Sequence, residues 1–587
     1  MDDTRAALTR RLGRLGRLGR RRPARALADP SSPTLAATLA ALTPPVVVLG
    51  LFFAWPLVAI ARRGLAWSAL SRVLGAPVIW RVAWFTCWQA AASTVLTLAV
   101  AGPVTYALSR FSFRGRHAVL AVVGVPFVLP TVVVAVAFQA TLPARWQQSV
   151  TAILLAHVFF NVAVVVRTVV PAWQQLDGRY EDAGRTLGAS RWRATGTIAV
   201  PLLRGPVLAA AAIVFLFSFT SFGVIKLLGG PRHTTLEVEL YRRAVQQVDL
   251  GAACALGVVQ LLAVVAVLRL WARAERRRPA AAAIGATRLP GATRRDERWF
   301  VGAAVGVTLA LLALPIARLV GRSLTVRGHG YSTIWYRTLS TSGAGTTRAV
   351  RPLSAFRTSF TIALWATLVA VVVGGCAAVA LSSLHRRAPD GRSRASRLAD
   401  VGLMLPLGTS AVTIGLGLFV AFGSPPLDLR GSAVMIPLAH ALVGIPFVVR
   451  AVAPTIASID PRLRDAAATL GSSRWRTFRT IDVPLARRTL VAGAGMAFAV
   501  SLGEFGATSF LARRAGRTVP LVIADLLGRP GASSVGQAEA LAVLLALASG
   551  ASFLVADSLS RRGRTTRRGR RRARADERGG TTVSPAP

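Results

Sequence analysis

Long apolar runs are the feature of this sequence that most restricts its fold. A helix of roughly 20 apolar residues crosses the ~30 Å hydrocarbon core of a bilayer, and twelve runs reach that length. They lie near residues 42–61, 84–107, 118–140, 150–170, 206–228, 250–270, 299–320, 359–382, 399–422, 432–453, 489–511 and 536–557. Hydrophobic residues make up 53% of the chain, and the charges, +47 net, cluster between the runs. We therefore predict an all-α integral membrane protein with about 12 transmembrane helices.

Arginines are unevenly distributed among the segments that join the runs. If the N-terminus is cytoplasmic, the seven inner segments carry 47 of the 71 Lys and Arg residues. Because basic loops stay on the cytoplasmic side, we expect a multi-pass protein of a bacterial plasma membrane with both termini in the cytoplasm. The Arg-rich ends resemble nucleic-acid-binding arms, but attraction to anionic membrane lipid explains them better. We expect no nucleic-acid partner.

The chain contains an internal repeat. A shift of 283 residues aligns Thr186–Arg204 with Thr469–Arg487, where 13 of 19 positions are identical, and pairs His157 with His440. The duplication therefore covers a whole multi-span unit. Each unit has six spans, an even number, so both begin on the same side of the membrane. We predict two parallel, pseudo-symmetric six-helix halves with a path between them.

The repeat and the charge pattern together define the expected domains. We predict an Arg-rich cytoplasmic tail, a first transmembrane domain, a cytoplasmic linker, a second transmembrane domain and an Arg-rich disordered tail. Their boundaries are 1–41, 42–271, 272–298, 299–558 and 559–587.

The most similar part of the repeat is a polar loop between the fourth and fifth spans of each half. We expect Asp182 and Asp465 in the first turns of short helices, where the helix dipole favours a carboxylate. Gly188 and Gly471 would then end those helices in a tight turn. Pro201 and Pro484 suit the start of the next span. A loop on the cytoplasmic side cannot line a pore, so its duplication points to a docking partner.

Each loop also carries a tryptophan among arginines. Ser190 and Ser473 can cap a second short helix, which gives a helix-turn-helix elbow that exposes Trp192 or Trp475, a composition typical of interface anchors. An interfacial belt of Trp and Arg is the simpler alternative. It explains the tryptophans but not the spacing of Asp, Gly and Pro.

These loops resemble the EAA loop of the permease subunits of bacterial ATP-binding-cassette importers. The matching residues are Asp182, Ala183, Gly184, Gly188, Ile198 and Pro201 in the first copy and Asp465, Ala466, Ala467, Gly471, Ile481 and Pro484 in the second. Both copies have Asp where the family usually has Glu, and Gly184 replaces the usual Ala. The resemblance implies a type I importer permease fold, with each loop docking on an ATPase.

A second resemblance concerns the substrate. The stretches Ser218–Ala244 and Ser501–Leu511 resemble the fused permeases of thiamine and ferric-iron importers, the first stretch being closer to the thiamine type. This resemblance implies thiamine, its phosphates or ferric iron as substrate. The two docking loops, one in each half, imply two copies of a cytoplasmic ATPase, and we expect an extracytoplasmic substrate-binding protein at the outer face.

The sequence lacks the residues for its own energy supply or for catalysis. Its only lysine, Lys226, precedes Leu227 rather than Ser or Thr, so there is no Walker A motif. The three cysteines and six histidines show no metal-ligand spacing, and we expect buried cysteines, no metal site, no cofactor and no enzyme activity. A secondary transporter with 6+6 helices is the main alternative, but such carriers generally need acidic residues inside their spans.

Glu504 is the clearest acidic residue within a predicted span, and the repeat aligns it with Ser221. An ionisable residue in the membrane suggests a functional role. Glu504 could contact a cationic substrate, pair with Lys226 across the halves, or face water in an outer vestibule. We therefore predict Ser221, Lys226 and Glu504 as residues of the translocation path.

Overall fold

The computed structural model describes residues 35–276, 295–326, 328, 330–340, 352–387, 394–423, 428–429, 432–513 and 516–579. Within these ranges the side chains of residues 35, 192, 274–276, 387, 394–395, 557 and 559–579 are not described. Most of the predicted N-terminal tail and of the linker lies outside the described residues.

The described chain is a helical bundle with up to twelve candidate membrane spans, nine single helices and three bent pairs. Spans 1 to 6 are Ala36–Gly64, Pro77–Arg110, Arg116–Val128 with Thr131–Thr141, Val150–Gln174, Thr195–Leu202 with Arg204–Phe219, and Leu250–Arg273. Spans 7 to 12 are Arg295–Ser323, Ser354–Arg386, Ser396–Gly408 with Ala411–Ala421, Met435–Ala457, Arg474–Leu502 and Ala532–Ala556. The predicted all-α membrane fold is confirmed.

Short elements connect the spans. The helices are Trp67–Leu74, Arg179–Thr186, Arg191–Ala194, Gly223–Leu228, Leu236–Tyr241, Ile334–Arg337, Pro461–Thr469, Thr508–Leu511 and Val519–Leu527, and Thr325–Val326 pairs antiparallel with Gly330–Tyr331. The last helix runs from Ala532 to Gly579.

Spans 3 and 9 are broken at equivalent places. Their two helices meet at 102° and 96° respectively. Pro130 and Ser410 stand at these breaks as the N-cap residues of the second helices. Span 5 bends by 63°, where Gly205 and Pro206 follow one another and weaken a helix. Span 11 has no such pair and is one helix. The breaks of spans 3 and 9 bring irregular backbone into the middle of the bundle, which is tolerated only where protein or a cavity surrounds it.

The first span of each half packs on the other half. Val301 and Leu312 of span 7 belong to the buried core formed by spans 2 to 5. Val48 and Leu49 of span 1 pack on the core of spans 8 to 11, and span 1 also contacts span 9. This exchange ties the two halves together.

The two halves meet at equivalent residues. Phe222 and Phe505, which the 283-residue shift aligns, stack with ring centroids 5.4 Å apart. A residue and its own repeat partner can be in contact only close to the pseudo-two-fold axis. The contact therefore marks the axis between the halves. It also locates the ends of spans 5 and 11 beside it.

Candidate functional site

Each half carries an elbow after its fourth span, residues 179–202 in the first elbow and 461–484 in the second. The turns form as predicted, since Gly188 has φ +85° and Gly471 has φ +74°, a conformation that glycine adopts without steric cost. Ser190 Oγ accepts from the Arg193 amide, and Ser473 Oγ accepts from the Arg476 amide, each at 3.3 Å. Both elbows are therefore helix-turn-helix units.

The two aspartates differ in position. Asp182 lies in the first turn of Arg179–Thr186, as predicted. Asp465 lies beyond the first turn of Pro461–Thr469, and the prediction was wrong there. The helix of the second elbow begins at Pro461, one repeat position before the start of the matching helix in the first elbow. Asp460 caps it by accepting a hydrogen bond from the Arg462 amide at 3.0 Å. Both elbow aspartates are nevertheless exposed.

The other motif residues form the inner face and the ends of the elbows. A Cβ on Gly184 would lie 2.5 Å from Ile198 Cδ1, so the two ends of the first elbow's motif touch. Ala183 and Ala466 are exposed, whereas Ala467 and Ile481 are half-buried. Trp475 is exposed and stacks on Phe478 at 5.6 Å. The Trp192 side chain lies outside the described residues.

Both elbows end in a π-helical turn, at Thr195–Ala199 and Phe478–Asp482. Pro201 and Pro484 follow it at the start of the next helix, as predicted. π-Turns are frequent at functional sites. Their presence at the same place in both copies gives each elbow the same exit into its span.

Each elbow contains one member or both members of a buried ion pair, and sequence reasoning missed these pairs. Glu181 pairs with Arg110 of span 2, and burial raises the pKa of Glu181 although Arg110 opposes that rise. The repeat aligns Glu181 with Arg464, which is also buried and lies 2.8 Å from Asp482. The same position is therefore an anion in one half and a cation in the other. Glu181 and Arg464 each stand one place before an elbow aspartate, and their opposite charges were the sequence signal that could have indicated these ion pairs.

An exposed apolar stripe runs along the outer face of each elbow, and it too was missed. Leu187 is 88% exposed and its repeat partner Leu470 is 87% exposed. Tyr180 and Leu463, which the repeat aligns with each other, lie seven residues before these leucines and are also exposed. Residues seven apart share one face of a helix. The two stripes are therefore equivalent apolar surfaces offered to solvent. Leucine before glycine in both copies of the repeat was the signal that could have found them.

A cavity of about 310 Å³ lies between the two halves. It is bounded by the breaks of spans 3 and 9, by spans 4 and 10, and by the ends of spans 5 and 11. Ser221 and Glu504 both line it, and Lys226 does not. Ser221 and Glu504 do not lie within a long helix. Spans 5 and 11 end before them, at Phe219 and Leu502, and not at 228 and 511 as predicted. The apolar runs continue past these ends into the short helices, so composition did not reveal the break.

The carboxylate of Glu504 is fully engaged by its own half. It accepts hydrogen bonds from the Ala507 amide at 2.8 Å, the Thr508 amide at 3.0 Å and Thr508 Oγ1 at 2.6 Å. His440 Nε2 lies 3.1 Å away. The predicted pairing with Lys226 is therefore wrong. Buried carboxylates are stable where several donors surround them, and here these donors are local.

Lys226 instead lies among aromatic rings from both halves. Its Nζ is 3.9 Å from the ring centre of Tyr241, 5.2 Å from that of Phe222 and 5.0 Å from that of Phe505. Such distances correspond to cation–π contacts. Lys226 thus links the halves beside the Phe222–Phe505 stack.

Two parallel six-span halves, an elbow at the same place in each, and a cavity on the axis between them define a transport component of the membrane. The chain belongs to the family of binding-protein-dependent transport system inner membrane components, whose model matches residues 98–278 and 371–564, more than half of the chain. It is a two-lobed importer permease and a multi-pass membrane protein. Family membership sets aside the secondary transporter.

Individual relatives match most of the chain. The thiamine transport system permease protein ThiP of Brucella abortus (strain 2308) is 28% identical over 506 residues, 82% of this chain and 87% of that protein. The protein of the same description from Escherichia coli (strain K12) is 26% identical over 486 residues, 80% and 87%. A probable ABC transporter permease protein, y4fN, of Sinorhizobium fredii is 25% identical over 470 residues, 75% and 81%.

Proposed function

We propose that this chain is the permease subunit of an ATP-binding-cassette importer for thiamine or its phosphates. It forms the translocation path and couples it to ATP hydrolysis by a separate chain. The observation that carries this proposal is the pair of equivalent elbows, each with a buried ion pair and each presenting an exposed apolar stripe.

The apolar stripes fit a groove on a cytoplasmic ATPase. A helix that docks in a groove presents apolar residues along one face, and Leu187 and Leu470 are almost fully exposed at equivalent positions. One stripe in each half implies two ATPase copies. The charged residues beside the stripes, Asp182 and Asp465, would set the register of docking rather than most of its affinity.

The elbows give the mechanical link for an alternating-access cycle. Closure of an ATP-bound ATPase dimer would draw the elbows together. The Arg110–Glu181 pair would pass that movement from the first elbow to span 2, and the Arg464–Asp482 pair would hold the first helix of the second elbow to the π-helical turn that leads into span 11. Hydrolysis would restore the first state. ATP shifts this equilibrium only by its different affinity for the two arrangements. The elbows then face the cytoplasm, both termini lie there too, and a substrate-binding protein meets the opposite face of the bundle.

The names of the relatives favour thiamine as the substrate, since two of the three named above are described as thiamine transport system permeases. The cavity between the halves has aromatic walls and one carboxylate, and aromatic faces attract organic cations. Ferric iron remains the competing substrate from the sequence resemblance. Uptake assays with both solutes distinguish them.

The docking proposal is tested by pull-down of the ATPase with variants of the stripe. Leu187→Glu combined with Leu470→Glu should abolish co-purification, because a charge would enter an apolar groove. Leu65→Glu is the matched control, since Leu65 is also exposed but follows span 1, far from either elbow in sequence. Normal ATPase capture by the double variant would contradict the assignment of the elbows.

A further inference from the structure

The repeat places a buried histidine in span 4 and another in span 10, and each has a serine hydroxyl at Nδ1, supplied by span 2 in the first half and by span 11 in the second. His157 Nδ1 lies 3.0 Å from Ser93 Oγ, and His440 Nδ1 lies 2.8 Å from Ser501 Oγ. Each ring is 2% exposed. A serine hydroxyl therefore holds both imidazoles through the same nitrogen.

The two rings differ at the other nitrogen. His440 Nε2 lies 2.8 Å from Thr508 Oγ1 and 3.1 Å from the Glu504 carboxylate. His157 Nε2 has no hydrogen-bond partner among the described residues. The repeat explains the difference, because Ser221 stands where the second half has Glu504, and isoleucine stands where it has Thr508. One histidine is saturated and its equivalent is not.

His157 lines the cavity between the halves, together with Asn161 and Ser221. A buried polar atom without a partner is costly, and such atoms in native structures usually have a reason. A ligand in the cavity could supply the missing partner. The volume of about 310 Å³ is at the lower end of the range for small-molecule sites.

The cavity walls restrict what that ligand can be. Six phenylalanine side chains contribute to the lining: Phe127, Phe160, Phe217, Phe222, Phe447 and Phe505. Aromatic rings favour planar molecules by stacking and accept positive charge over their faces. A neutral imidazole nitrogen pairs with a hydrogen-bonding edge of either sense, according to its tautomer.

We propose that His157 Nε2 is the polar contact of a transient substrate site in this cavity, and that the site takes a small planar heteroaromatic molecule with a hydrogen-bonding edge. This inference rests on the proposed function and names the substrate contact within it. Its chemistry matches an aminopyrimidine ring. Asymmetry is part of the mechanism, since Nε2 of His157 is unpaired among the described residues whereas Nε2 of His440 is already bonded.

Two substitutions separate binding from structure. Asn at position 157 keeps a polar group near Nδ1, within reach of Ser93, and removes Nε2, whereas Gln keeps a polar group near Nε2. We therefore expect His157→Asn to fold normally and bind thiamine about tenfold more weakly, the loss of roughly one hydrogen bond. His157→Gln should retain binding. The measurement is equilibrium dialysis of labelled thiamine against the purified full chain, with thermal unfolding of each variant.

The outcomes are distinct. Equal binding by wild type and His157→Asn contradicts the inference, and so does absence of thiamine binding to the wild-type chain. If His157→Gln loses binding and His157→Asn keeps it, the Nδ1 side of the ring is the important one and the inference is also wrong. Dialysis uses neither ATP nor partner chains, so these results do not depend on the transport assay that tests the proposed function.

Discussion

At the scale of single residues, the unexpected feature is how the buried charges are neutralised. Glu504 and Lys226 lie close to the axis between the halves but do not pair. The carboxylate uses local amides, Thr508 and His440, while the ammonium group uses aromatic rings. Glu504 is thereby stabilised within the second half, whereas Lys226 is stabilised by rings of both halves.

This arrangement predicts that Glu504 is structural. Glu504→Gln places an amide group against backbone amides, so we expect a loss of about 1–3 kcal/mol in stability, measured by thermal unfolding in detergent. Lys226→Met should not rescue the variant, and the two effects should add, since the groups make no contact. Rescue by Lys226→Met would contradict the observed network, because it would indicate that Glu504 pairs with Lys226 across the two halves.

Residue-level sequence reasoning succeeded where the repeat itself carried the information. Gly188 and Gly471 were identified because a glycine before a new helix at the same place in two copies predicts a positive φ. The partners of Glu504 could not be predicted. They depend on where span 11 ends, and the apolar run gives no sign of that end. Burial of all three cysteines was also an incorrect expectation, since Cys87 is exposed on span 2.

At the scale of elements, the elbows depend on left-handed glycines. Gly188→Val and Gly471→Val each force a β-branched residue into a positive φ, which costs roughly 1–3 kcal/mol locally. We expect the variants to insert normally and to lose ATPase capture in a pull-down. Gly196→Val is the matched control, because a Cβ at Gly196 meets nothing within 4 Å and its φ is not positive. Equal capture by all three variants would show that the turns are unimportant.

The buried ion pair within the second elbow gives another prediction. Asp482→Ala leaves the guanidinium of Arg464 buried without its partner, and we expect a loss of roughly 3–5 kcal/mol in chemical or thermal unfolding. Asp182→Ala removes an exposed pair with Arg185 at 4.0 Å and should cost less than about 1 kcal/mol. Similar losses for the two variants would mean that the Arg464–Asp482 pair does not stabilise the second elbow.

At the scale of the whole molecule, the twelve-span architecture followed from hydropathy and the repeat, because each span must satisfy its own backbone. The exchange of spans 1 and 7 between the halves could not be predicted. Apolar residues that face lipid and those that face another helix have the same composition, so a sequence does not say which neighbour a span chooses. The exchange makes each half incomplete without the other.

Contact between the halves at the axis can be tested by cross-linking. Phe222→Cys with Phe505→Cys should be joined by a short bifunctional thiol reagent, because the parent rings stack at 5.4 Å. An introduced protease site within 277–294 lets a cross-linked pair of halves be seen on a gel after cleavage. We expect efficient cross-linking and a block of transport. Separate halves after treatment would contradict the position of the axis. The background chain has its native thiols replaced at Cys87, Cys254 and Cys376.

The most direct test of the proposed function is uptake of labelled thiamine into vesicles that contain this chain, its partner ATPase and its binding protein. We predict accumulation that requires ATP, continues after ionophores collapse the proton and sodium gradients, and is not reduced by excess ferric ion. Uptake driven by an ion gradient without ATP or the ATPase would contradict an ATP-driven importer, and ATP-driven uptake of ferric iron in place of thiamine would contradict the substrate.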